Sequence, residues 1–188
     1  MPPNTQTDTA LYAQLRASKA EAESAFAELY RRHAPRINAY CKRVLGVKEE
    51  ASDVFQETFA RFFQSAQSAE ERAMTNVPAY LLMIARNLCL QHKRNTRTMF
   101  RFEDYDMPDN RTARRMEETE LLGLITTALD LLDFDHREAF VLREYDGLSF
   151  QEIAELVGSN EATVRTRAHR AKQKIRDILT PYLHDLNK

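Results

Sequence analysis

Chain-breaking residues are scarce in this sequence: 4 glycines and 6 prolines among 188 residues, with no tryptophan. So few breakers leave little for the closely spaced turns of an all-β domain and suit long helices. The only cysteines, Cys41 and Cys89, are far apart and form no CxxC pair. That excludes a disulfide scaffold or cysteine-based zinc site and reads as two buried thiols. No run approaches the roughly 18 apolar residues of a membrane helix. The opening stretch, MPPNTQTDT, lacks the apolar centre of a secretory signal. The expectation is a cytoplasmic protein without membrane insertion. Nucleophile elbows, phosphate loops and complete metal-ligand spacings are also missing, so neither an enzyme nor a cofactor is expected.

A single sign of charge is missing too. The net charge is -1, so the total gives no hint of a polyanionic partner. The distribution does. Residues 73–102 hold five Arg or Lys and no acid, whereas 103–120 hold seven acids against three Arg. With 43% hydrophobic residues, the chain can bury one medium core or two small ones.

The most organised stretch is LSFQEIAELVGSNEATVRTRAHRAKQKIR, residues 148–176. Ser149 and Glu152 form a capping-box start, and Ile153, Ala154, Leu156 and Val157 give an apolar face. Gly158 suits a left-handed stop, and Asn160 suits the N-cap of a second helix running through Arg176. At 100° per residue, Val164, Ala168, Ala171 and Ile175 share the inner face of that helix. Arg165, Thr166, His169 and Arg170 share the outer one. Residues 162–176 carry six Lys or Arg and no acid. A solvated basic helix would look similar. The combination of capping box, glycine and acid-free helix favours a helix-turn-helix whose outer face reads the major groove.

Upstream, composition predicts a disordered tail over 1–18. Helices are expected over Ala20–Arg32 and from Pro35 to near Gly46, then over Glu49–Gln64. In the third, Phe55, Phe59, Phe62 and Phe63 form a core stripe. Opposite lie Glu50, Asp53 and Glu57, with Gln56 adjoining, readable as a solvated acidic face or a dock for a basic partner. A polar connection over Gln64–Val77 leads to a helix from Pro78 to about Thr98. Leu81, Ile84, Ala85, Leu88 and His92 mark its inner side; Arg86, Lys93 and Arg97 mark another, with Arg94 and Arg101 flanking. That basic stripe fits a phosphate backbone or simply a solvated face. Residues 99–116 read as a linker. Helices follow over Glu117–Leu132 and from a cap at Asp135 and Glu138 to Gly147. The fold class is all-α: two small helical modules, 19–98 and 117–184, joined by a linker.

The run REAFVLREYDGLSFQEIAELVGSNEATVRTRAHRAKQKIR resembles region 4 of the extracytoplasmic-function (group IV) sigma-70 factors. AFAELYRRHAPRI, EEASDVFQETFARFF and AYLLMIARNLCLQHKR resemble, in order, the parts of region 2. The resemblance covers about residues 24–180, and the ordered pair of modules is its specific part. It implies a bacterial RNA polymerase specificity subunit. Region 2 would bind the clamp helices of the largest subunit and open the -10 promoter element; region 4 would lie at the flap and read the -35 element.

On the residues, the resemblance implies that Asp53, Gln56 and Glu57 contact core polymerase. Thr75 and Asn76 would capture an unpaired -10 base, with Tyr80 as a wedge or packing residue. Arg86, Asn87, Lys93, Arg94 and Arg97 would steady the opened strand. Arg165, Thr166, His169 and Arg170 would read the -35 element. Tyr80 stands where the family often has Trp, Gln91 where it usually has an acid, and Ser159 where an apolar residue usually follows the turn glycine. Promoter DNA and core polymerase are the implied partners, and an anti-sigma factor clamping both modules is a further one. The competing readings are a stand-alone helix-turn-helix regulator, an enzyme using the Glu50, Asp53, Glu57 cluster, and a helical scaffold. The first would leave the SDVFQETF face without a role.

Overall fold

In the computed structural model, which describes residues 6–46, 48–68, 74–99 and 118–186, the chain forms eight helices. These are α1 (Asp8–Gln14), α2 (Lys19–Leu45), α3 (Lys48–Ser68), α4 (Val77–Met99), α5 (Glu118–Asp130), α6 (Phe134–Glu144), α7 (Phe150–Val157) and α8 (Glu161–Leu186). Among the described residues there is no strand, and no helix is long and apolar enough to cross a membrane. The fold is all-α, as the scarcity of breakers predicts. The helices fall into two compact units, one holding 1–42 and 47–92, the other 43–46 and 93–188.

The first unit is closed by aromatic and aliphatic packing among α1 to α4. The phenylalanine stripe of α3 behaves as its spacing predicts: Phe59 and Phe62 are buried, and Phe55 and Phe63 are half-buried. Phe26 and Tyr30 of α2 meet them, with Tyr30 centred 4.7 Å from Phe59 and Phe26 5.2 Å from Phe63. Tilted and edge-on pairs of this kind add specificity to plain area burial. From α4, Leu81, Leu82, Ala85, Leu88 and Cys89 are buried; so is Cys41 of α2, and the two cysteines form no disulfide.

Three expectations about this unit need correction. The tail expected to be disordered over 1–18 contains α1, whose N-cap Thr7 accepts the Ala10 amide. Leu11, Tyr12 and Leu15 are buried, and Tyr12 lies 5.5 Å from Phe62. Asp8 ties α1 to α2 by an ion pair to Arg32 and a hydrogen bond with His33 Nε2, each at 2.8 Å. Composition missed it because a helix of about two turns is stabilised by the surface it covers rather than by its own propensity. Second, α2 runs unbroken through Pro35. Proline removes one amide, but Leu29, Ile37, Tyr40, Cys41 and Val44 are buried on both sides of it. Burial carries the helix across. Third, α3 extends to Ser68, so the connection to α4 is shorter than expected; residues 69–73 lie outside the described ones.

In the second unit α8 packs on α5, α6 and α7. Helix α6 starts at Phe134 behind Asp133, which makes no side-chain cap. The expected Asp135/Glu138 cap is therefore corrected: Asp135 lies in the first turn and pairs with Arg167 of α8 at 2.9 Å, and Glu138 is buried. Helix α8 continues beyond Arg176 and through Pro181 to Leu186. The linker expected over 99–116 lies outside the described residues apart from Met99, the last residue of α4.

Candidate nucleic-acid interface

The second unit presents a complete helix-turn-helix in α7 and α8. Ser149 accepts the Glu152 amide at 3.2 Å, and the Glu152 carboxylate accepts the Ser149 amide at 2.7 Å. This reciprocal box satisfies two otherwise orphaned donors and fixes where α7 begins. At the other end Gly158 has φ 65° and ψ 43°, the left-handed conformation that its sequence position predicts. The amides of Gly158 and Ser159 both reach the Ala154 carbonyl. The turn is thus closed by backbone, with no apolar side chain needed at Ser159. Asn160 then accepts the Thr163 amide at 2.8 Å and starts α8.

The two faces of α8 separate as its periodicity predicts. Val164, Ala168, Ala171 and Ile175 are buried, while Arg165, Thr166, His169 and Arg170 are exposed. Two alanines on the inner face let α8 approach its neighbours closely, and the exposed four form one continuous strip. Thr166 donates its hydroxyl to the Ala162 carbonyl at 2.9 Å, leaving its oxygen lone pairs outward. Lys172 pairs with Glu144 at 3.3 Å, so not every cation on this helix points away from the unit. Arg165 pairs with Glu161 and lies over the Phe150 ring, and sequence reading missed both contacts. The Glu161–Arg165 spacing of four residues was a legible signal for the first.

On the first unit, Asp53, Gln56 and Glu57 are exposed on α3. Glu57 pairs with Arg61 of the same helix, and Glu50 pairs with His92 of α4 at 3.1 Å. The acidic face is therefore graded, with two of its carboxylates engaged locally and Asp53 presented between them. His92, placed by the helical period on the inner side of α4, is half-buried with its Nε2 beside a Glu50 carboxylate oxygen. Among the described residues no group of three or more His, Cys, Asp or Glu is placed to hold a metal ion.

Thr75 and Asn76 are exposed ahead of α4. Asn76 caps that helix, its Oδ1 accepting the Ala79 amide at 3.0 Å, so the donor side of its amide is what faces outward chemistry. Tyr80 is half-buried, its ring centred 6.2 Å from that of Phe62. Asn87 and Arg94 are exposed; Arg86 and Lys93 are half-buried; the side chain of Arg97 lies outside the described residues.

Comparison with known proteins matches residues 29–98 to sigma-70 region 2 and residues 122–175 to sigma-70, region 4. Over 161 residues the chain is 34% identical to the RNA polymerase sigma factor CarQ of Myxococcus xanthus, covering 84% of this chain and 91% of that one.

The chain belongs to the extracytoplasmic-function sigma-70 factors.

It is also 35% identical over 162 residues to the sigma factor SigE of Mycolicibacterium smegmatis, spanning 82% of this chain but only 62% of SigE. The fold agrees. The sigma factor RpoE of Bartonella quintana, solved with the anti-sigma factor NepR, superposes with a TM-score of 0.66 at 22% identity. That match covers 82% of this chain and 96% of RpoE. CnrH, solved with the cytosolic domain of CnrY, gives a TM-score of 0.65 at 24% identity, covering 93% and 97%. The first unit therefore carries region 2 of this sigma factor and α5 to α8 carry region 4.

Proposed function

We propose that this sigma factor binds core RNA polymerase through α3, holds an opened -10 element with α4 and the residues ahead of it, and reads the -35 element with α8. The observation that carries this is the pairing, in one chain and in order, of a region 2 match with a region 4 match. Asp53, Gln56 and Glu57 form the polymerase contact toward the clamp helices of the largest subunit, and region 4 sits at the flap. Thr75 and Asn76 hold an unpaired base. Asn87, Arg94, Arg86, Lys93 and Arg97 steady the strand, and Tyr80, on α4 itself, packs toward Phe62 of α3 beside them. Arg165, Thr166, His169 and Arg170 are the groove readers.

The work is done by binding, not by covalent chemistry. Stacking and edge contacts to unpaired bases help offset the cost of opening the duplex, while phosphate contacts set position. An anti-sigma protein covering Asp53 and the outer face of α8 is a partner of the same proposal, supported by the complexes in which RpoE and CnrH were solved.

Run-off transcription with purified core polymerase over a pool of genomic promoter fragments tests the proposal, with Asp53→Arg and Arg165→Ala/Arg170→Ala as controls. Transcripts that require the added protein and vanish with either variant are the expected result. A folded protein that neither binds core nor supports any transcript would overturn it.

A further inference from the structure

An exposed arginine on a recognition helix has several long-range choices, of which a phosphate oxygen is the most available and carries no sequence information. Arg165 is not left to choose. Its side chain is 63% exposed, yet Nη2 donates to the Glu161 carboxylate one turn earlier. Its guanidinium carbon lies 5.1 Å from the centre of the Phe150 ring, on the preceding helix. That ring also lies 4.7 Å from the guanidinium of Arg143, whose Nη1 donates to the Leu148 carbonyl at 2.9 Å. Two cations over one ring repel each other, and Glu161 supplies the local negative charge that offsets this. As the first residue of α8, Glu161 is itself favoured by the positive end of the helix.

We infer that Glu161 and Phe150 are positioning residues that aim Arg165 at one base pair and hold it away from phosphate. The inference rests on the -35 role proposed above for Arg165. Chemically, a guanidinium has five N–H donors. With one engaged by Glu161, enough remain on the exposed edge for the two-pronged bond to guanine O6 and N7. The neighbouring carboxylate repels a phosphate approaching the same point. Glu161 therefore lowers affinity for DNA in general and raises discrimination, a repulsive element built into a reader. The other three readers share the strip, but the ring and carboxylate converge on Arg165.

The test uses holoenzyme assembled from core polymerase and the full chain, on a promoter recovered by the run-off experiment with its -35 segment randomised. Wild type, Arg165→Ala, Glu161→Gln and Phe150→Leu are compared by sequencing the bound pool. Arg165→Ala erases preference at one base pair. Glu161→Gln and Phe150→Leu each weaken preference at that same pair by about two- to five-fold, the scale of exposed ion-pair and cation–π contacts. Glu161→Gln also binds mismatched DNA more tightly and gains a steeper salt dependence, which a purely structural defect would not produce. Phe150→Leu keeps the apolar packing and removes only the π face, so a fold near wild type by melting is expected. The inference is overturned if Glu161→Gln leaves the Arg165-dependent pair unchanged, or alters a different pair, the mark of a carboxylate reading a base itself. If Arg165→Ala changes no preference at all, the proposed role of Arg165 falls first and this inference with it.

Discussion

Single residues set the pH response and the geometry of the turns. Glu28 accepts from Arg31 and Arg32, and these hydrogen bonds hold its carboxyl at about 2 against an ordinary value of 4.5. A carboxyl depressed by folding contributes stability above its unfolded value and loses it as pH falls through the folded one. The urea midpoint of wild type should thus exceed that of Glu28→Gln at about pH 6, and the gap should narrow from pH 4.5 toward 2. Solvent around the group keeps the gap small. Gly158 makes a second residue-scale case. A Cβ there would meet nothing within 4 Å, so only the left-handed backbone is at issue. Thermal unfolding should show Gly158→Ala destabilised by about 1 kcal/mol. Gly158→Asn should be milder, because asparagine tolerates this conformation.

At the scale of elements, α1 offers the sharpest test, because a disordered tail and a docked helix predict opposite results. Leu15 is fully buried. Leu15→Ala should cost roughly 2–5 kcal/mol of unfolding free energy in denaturant titration, the range for deleting a buried leucine side chain. A change within about 0.5 kcal/mol, the range of surface substitutions, would mean that α1 does not dock. The same comparison shows what was legible. The phenylalanine stripe of α3, the capping box of α7 and the two faces of α8 were readable because a 3.6 period, a cap and a glycine stop agree there. Pro35 misled because a local rule was allowed to outrank the phase of Leu29, Ile37, Tyr40 and Val44, which does not reset across it. Helix α1 was unreadable for a different reason. Its stability resides in Tyr12 meeting Phe62, and in Asp8 meeting Arg32 and His33, contacts more than twenty residues away in sequence.

For the whole molecule, a net charge of -1 gives the chain no bulk attraction to DNA. In the function proposed above, each unit reads it through a few residues. Tethering both readers to one polymerase makes the second contact effectively intramolecular. Filter binding or fluorescence anisotropy should therefore find weak promoter affinity for the isolated chain and much tighter binding as holoenzyme at the same salt. Equal affinities would contradict the arrangement. Which residues cluster on each unit was visible in the sequence; which of them are engaged was visible only where an i,i+4 spacing signals it, as for Glu57 with Arg61 and Glu161 with Arg165, and not for Glu50 with His92. Glu50 with His92, Glu57 with Arg61 and Glu161 with Arg165 all lie within faces that helical periodicity depicts as uniformly charged.

The division of α8 has an evolutionary consequence. Val164, Ala168, Ala171 and Ile175 hold the helix in place, and Arg165, Thr166, His169 and Arg170 take no part in that burial. Mutational drift on the outer strip is therefore decoupled from folding, and under the promoter-reading role proposed for that strip a descendant could acquire a new set of target genes in a few steps without passing through an unfolded ancestor. Drift on the inner strip has no such freedom. A library varied at the outer four positions should be mostly folded and diverse in promoter choice, whereas one varied at the inner four should be mostly lost to degradation.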